Sequence, residues 1–207
     1  MVLVACEYSG RVRDEFLKRG HSAYSCDVVP TDAPGPHFQM DVGPLLKLPW
    51  DLVIAFPPCT RLSCISVRNW PKWQADGSQD VAADFFMRFV HDLAHVPRVA
   101  IENPAGAMTR RYRKPDQYVQ PWWFGDPWTK RTGLWLKGLP LLTADNPVEP
   151  QGPWVGGQTS TGAPGRTLEG SLQILGGTWD HKSRSKARST TFPGLARAMA
   201  DQWGVVR

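Results

Sequence analysis

The stretch Leu52-Val53-Ile54-Ala55-Phe56 is apolar at every position and stops at Pro57-Pro58. A strand with one wet face alternates polar and apolar residues. An unbroken run this short is instead a strand covered on both faces, as in parallel sheets. Covering both faces requires helices on either side, which constrains the chain toward a layered α/β domain. The flanking sequence supplies the other layers. Met1 to Cys6 is a second short apolar run, followed by Glu7-Tyr8-Ser9-Gly10 and then by Val12, Phe16 and Leu17 at helical spacing until Gly20. Ala23 to Cys26 predicts another strand ending at Asp27, and Pro30 to Pro36 a loop. A helix between two strands makes a right-handed parallel crossover the expected connection. Val81, Phe85, Phe89 and Leu93 place a helical stripe over Asp80 to Ala94, and Val99-Ala100-Ile101 reads as a buried strand ending in Glu102-Asn103-Pro104.

In open α/β sheets, ligands bind outside the carboxyl ends of the strands, so Glu7, Asp27, Cys59 and Glu102 mark where a site is expected. Cys59 and Glu102 each follow directly on a buried strand. A thiolate is the protein nucleophile best suited to add to an electron-poor ring carbon such as carbon 6 of cytosine. The addition makes carbon 5 carbanion-like, provided that charge building on the ring nitrogen is neutralised. A carboxyl group held in a secluded pocket can do that.

Phe56-Pro57-Pro58-Cys59 after one strand and Ile101-Glu102-Asn103-Pro104 after a later one resemble the two catalytic signatures of the cytosine-5 DNA methyltransferase family. Order and approximate separation agree, and the resemblance extends over much of Val2 to Gly138, particularly to small, phage-type members. It implies a doubly wound, Rossmann-like α/β methyltransferase fold, S-adenosylmethionine as cofactor, and duplex DNA with a flipped cytosine as substrate. It further implies Cys59 as nucleophile and Glu102 at the ring nitrogen. Tyr8, Ser9 and Gly10 resemble the turn at the methionine end of the cofactor, with Pro57 beside it. Asp27 resembles the acid on the ribose hydroxyls, and Asp41 the aspartate on the adenine amino group. Lys130-Arg131-Thr132 is similar to a motif whose arginine, here Arg131, binds the cytosine ring oxygen. The sequence departs from the family pattern where Val12 and Arg13 stand at usual glycine positions, where Glu-Asn-Val is replaced by Glu-Asn-Pro, and where the recognition domain is short.

Thr60 to Trp73 mixes Arg61, Arg68 and Lys72 with Trp70, a composition suited to a mobile loop closing on nucleic acid, the cations on phosphates and Trp70 as a wedge. A stretch rich in Gly, Pro, Ser and Thr follows Pro140 and carries Lys182, Arg184, Lys186 and Arg188, either a solvated basic face or a phosphate-binding strip. The chain divides into a catalytic core over 1–139, a basic insertion over 140–188, and a C-terminal helix within 189–207 that packs on the core. Thr190-Thr191 are read as caps of that helix, with Pro193 in its first turn. Trp135 and Trp203 lie in apolar patterns and read as core, while Trp122-Trp123 stays open.

At 207 residues, one core with an appendage is expected. A formal charge of +5 favours a polyanionic partner. Cys6, Cys26, Cys59 and Cys64 lack structural zinc spacing, so free thiols and no metal are expected. Glu7 interrupts the first apolar run, so no secretory signal is read and a cytoplasmic setting, bacterial or phage-infected, is expected, with neither membrane nor obligate protein partner. Other readings are the same chemistry on RNA or a free nucleotide, a non-catalytic DNA-binding protein that keeps the cleft, and transfer of a group other than methyl.

Overall fold

The structure is a computed structural model that describes residues 1–152 and 186–205. Seven strands form one sheet: β1 (Val2–Ala5), β2 (Ala23–Asp27), β3 (His37–Gln39), β4 (Leu52–Ala55), β5 (Arg98–Pro104), β6 (Gln117–Val119) and β7 (Thr132–Lys137). Their order is β3-β2-β1-β4-β5-β7-β6. The first five are parallel to one another, and β7 runs antiparallel to both β5 and β6. The doubly wound, Rossmann-like α/β class expected from the sequence is the class observed.

The unbroken apolar strands are wrapped on both sides. Helices α1 (Arg11–Lys18) and α5 (Pro193–Gly204) cover the face presented by Val2, Val4, Leu52, Ile54 and Ala100. The opposite face, with Leu3, Ala5, Val53, Ala55, Val99 and Ile101, packs against Ala83, Phe86 and Phe89 of α3 (Ser78–His91). Two short helices, α2 (Trp70–Ala75) and α4 (Met108–Arg111), sit in the connections around α3. Trp135 and Trp203 are core residues, as their apolar settings predict.

The order in which strands are added across the sheet reverses between β1 and β4, which are themselves parallel: the chain winds outward through β2 and β3, then returns to build β4 and β5 on the other side. Such a switch point opens a crevice at the carboxyl ends of the two central strands. Here those ends lead into Glu7-Tyr8-Ser9-Gly10 and Pro57-Pro58-Cys59.

Local chemistry holds this rim in shape. Gly10 has φ 74°, and a Cβ there would lie 2.5 Å from Arg13 Nη2, so both conformation and space call for glycine. Arg13 is fully buried. Its guanidinium donates to Ser25 Oγ at 3.0 Å and to the carbonyls of Ala33 and Pro34 at 3.1 Å, pinning the loop after β2. Arg13 is thus a structural fastener at a position where the resembling family carries glycine.

The C-terminal helix is as expected, but its cap is not. Phe192 occupies the N-cap without a side-chain bond, and Asp126 Oδ2 accepts from Gly194 N at 2.8 Å. Thr190 and Thr191 are not the caps, because the chain turns into the helix one residue later, at Pro193. Among the described residues no helix is long and apolar enough to cross a membrane.

Candidate functional site

Cys59 and Glu102 emerge from adjacent parallel strands in matched register, Ala55 facing Ile101. Asn103 fixes the two exits relative to one another, its Nδ2 donating to Pro57 O at 2.9 Å. Glu102 follows Ala100 on the α5 face, where it lines a cavity with Phe56, Lys130, Thr132 and Phe192. Thr132 Oγ1 donates to Glu102 Oε1, fixing the carboxylate. The Cys59 thiol is half-buried. Burial foremost, and then the Glu102 carboxylate, push it up from the ordinary thiol range, while Lys130 and Arg188 pull it down. A thiol, a carboxylate and a cation therefore act on one another at the ends of β4, β5 and β7.

Pleating decides which member of Lys130-Arg131-Thr132 takes part. Lys130 and Thr132 share the cavity side. Arg131 is exposed on the other side, its guanidinium 3.9 Å from the centre of the Tyr118 ring. The sequence motif was visible, but its phase depends on where β7 begins.

A second cluster surrounds the ends of β1, β2 and β3. Glu7 is buried and accepts from Val12 N at 2.8 Å, Arg13 N at 3.4 Å and Ser9 Oγ at 3.1 Å. The N–H groups that begin α1, which would otherwise hold a phosphate, are already engaged. A pyrophosphate is therefore disfavoured at this turn. Tyr8 is half-buried beside the turn. Asp27 Oδ1 accepts from Val29 N at 3.1 Å. Asp41 is exposed and accepts from Gly43 N at 2.8 Å. Cys6, with φ 58°, joins this cluster: burial and then the charges of Asp27, Cys26 and Asp41 raise its thiol, and Arg88 opposes them. A Cβ at Gly43 would lie 2.4 Å from Arg88 Nη2, so the Arg88 guanidinium lies against the Asp41 turn. Sequence reasoning missed Arg88, which reads as an ordinary surface cation of α3.

No family model and no curated protein matches this chain. Among solved structures, the chain is similar to the Entamoeba histolytica methyltransferase EhMeth, with 11% identity and a TM-score of 0.41, over 71% of this chain and 57% of that one. The chain thus spans little more than half the length of that protein.

The segment after Cys59 forms a 3-10 turn, Cys64–Asn69, leading into α2. Its root is clamped just after β5: Cys64 N donates to Ala105 O at 2.9 Å and Ala107 N to Leu62 O at 2.8 Å. Trp70 is not at the tip but half-buried, packed on the α3-side core with its Nε1 buried and unpartnered. The exposed apolar side chains are Ile65 and Val67, 65% and 51% accessible, flanked by exposed Arg61, Arg68 and Lys72. Lys186 pairs with Asp32 at 2.7 Å and lies 5.7 Å over the Tyr8 ring. Lys182 and Arg184, with most of the basic insertion, lie outside the described residues. Among the described residues no group of three His, Cys, Asp or Glu side chains is placed to hold a metal ion.

Proposed function

We propose that this chain is an S-adenosylmethionine-dependent methyltransferase acting on carbon 5 of cytosine in DNA, with Cys59 as covalent nucleophile. The observation that carries the reading is the matched register of β4 and β5, which brings Cys59 and Glu102 out just past the ends of adjacent strands, beside a sheet switch point. The phosphate-free turn at Glu7 supports a nucleoside cofactor held by Tyr8, Ser9, Gly10, Asp27 and Asp41. When bound there, S-adenosylmethionine supplies an electrophilic methyl group.

The target base leaves the duplex, because its carbon 6 is unreachable within the stack. Cys59 Sγ would bond to carbon 6 as its thiol proton passes to Glu102, which holds the ring nitrogen and neutralises the charge building there, and the ring electron pair would move toward carbon 5. The bond from carbon 5 to the donor's methyl would form as the methyl–sulfonium bond breaks, the donor leaving as a neutral thioether. A base then removes the carbon 5 proton, the S–C6 bond breaks, and Cys59 recovers its electron pair. Arg61, Arg68 and Lys72 would meet phosphates.

The test is incubation with labelled S-adenosylmethionine and duplex DNA, transfer RNA or deoxycytidine nucleotides, with wild type beside Cys59→Ala. Label on duplex cytosine with wild type alone is expected, as is a trapped adduct on DNA containing 5-fluorocytosine, whose fluorine cannot leave as a proton does. Equal product from both proteins overturns the mechanism; label only on RNA or nucleotide overturns the substrate.

A further inference from the structure

We infer that α4, β6 and the residue just ahead of β7 form a docking ledge for the phosphate backbone of nucleic acid, on which the strand flanking the reacting base lies. The inference rests on the reading of Cys59 and Glu102 as a site acting on a base, and adds where the rest of the strand is held. Because β7 runs antiparallel to both β5 and β6, the carboxyl ends of β4, β5 and β6 and the start of β7 share one rim of the sheet. Two connections make that rim continuous. The segment after Cys59 is bridged to the chain entering α4 at Ser63 and Gly106, so closely that a Cβ on Gly106 would lie 1.9 Å from Leu62 O. Helix α4 in turn reaches β6, where Thr109 Oγ1 and Tyr118 Oη lie 3.5 Å apart.

Charge along this rim is uncompensated. Arg61, Arg68 and Lys72 on the Cys59 side, and Arg110, Lys114 and Arg131 on the α4–β6 side, are all exposed, and among the described residues none of them is in an ion pair. The carboxylates of Asp80 and Asp116 are already taken, by Arg111 and Arg113. The α1–α5 side is different: there Lys18 pairs with Glu15, Arg19 with Asp201 and Arg197 with Asp145. Unpaired like charges gathered on one surface repel one another, and a polyanion relieves that repulsion while releasing its own counterions. Arg131 is also ordered in advance. Its guanidinium lies 3.9 Å from the centre of the Tyr118 ring, which covers one face and leaves the N–H edge to take two oxygens of one phosphate. Cations spread along the rim in this way fit an extended chain of phosphates rather than a single anion.

The test is binding of a fluorescent, cytosine-containing DNA duplex to the full chain without cofactor, read by anisotropy over about 50 to 200 mM salt. The slope of log affinity against log salt counts the phosphates neutralised, at about 0.9 each. Arg110→Met and Arg131→Met should each lower its magnitude by about 0.9 and the double variant by about twice that, while Arg131→Lys keeps the wild-type slope. Lys18→Met, on the compensated side, should leave it unchanged. The slope compares one sample with itself, so a partly unfolded variant does not imitate the effect. Slopes untouched by Arg110→Met and Arg131→Met, or lowered equally by Lys18→Met, overturn the ledge, as does displacement of the duplex by polyglutamate at equal charge concentration. Unmoved slopes in variants of a chain that still transfers labelled methyl groups overturn the ledge alone. Slopes that fall as expected in a chain that transfers none keep the ledge and overturn the mechanism.

Discussion

In the proposed reaction Glu102 acts on Cys59 in opposite senses before and during methyl transfer, and one substitution separates the two. Its carboxylate raises the resting thiol, second only to burial. Glu102→Gln removes that charge, so Cys59 should ionise at lower pH and alkylate faster near neutrality, while methyl transfer falls by about 10²–10⁴-fold. An alkylation profile that stays put would show that the carboxylate does not face the sulfur. Asn103 acts through position alone: Asn103→Ala frees Pro57 O from its bond and should cost about 1 kcal/mol of stability, read as a lower thermal midpoint. Of the site residues, Cys59 and Glu102 were legible because each ends an apolar run. Lys130 and Thr132 were not singled out, because the choice between them and Arg131 depends on pleat phase. Trp70 was misread as a wedge because composition does not tell a packed indole from a free one.

Among the elements, the apolar or periodic ones were legible: β1, α1, β2, β4, α3 and β5 all fall where the pattern places them. The strands β3 and β6 have three residues each and no period of their own. They exist because β2 and β7 offer unpaired edges beside them, a fact of the assembled sheet. The loop between β2 and β3 depends on Arg13 in the same way. Arg13→Met removes the guanidinium's bonds to Ser25 Oγ, Ala33 O and Pro34 O and should cost about 3 kcal/mol, with faster proteolysis or hydrogen exchange at 28–36. Gly10→Ala combines a left-handed backbone with a side chain pressed on Arg13, and the backbone alone should cost about 1–2 kcal/mol. Full stability of either variant would remove the fastener from the account of this rim.

For the whole molecule, acid stability follows from Glu7. Burial raises its carboxyl above the ordinary range despite the bonds it accepts. The folded protein therefore binds the Glu7 proton more tightly than the unfolded chain. The stability this contributes is fully present below the unfolded value and is lost as pH rises through the folded one. Glu7→Gln abolishes that loss, so its thermal midpoint relative to wild type should improve from acid toward neutral pH; a constant difference would contradict the linkage. The last consequence belongs to the roots of residues 153–185. Gly152 O accepts from Thr129 N at 2.8 Å, and Arg188 O accepts from the neighbouring Lys130. Both stems of the intervening chain are moored at one spot. Because the entropy of closing a connection between two neighbouring points depends only logarithmically on its length, these two anchors, Thr129 on Gly152 and Lys130 on Arg188, fix where the connection begins and ends without fixing how long it is.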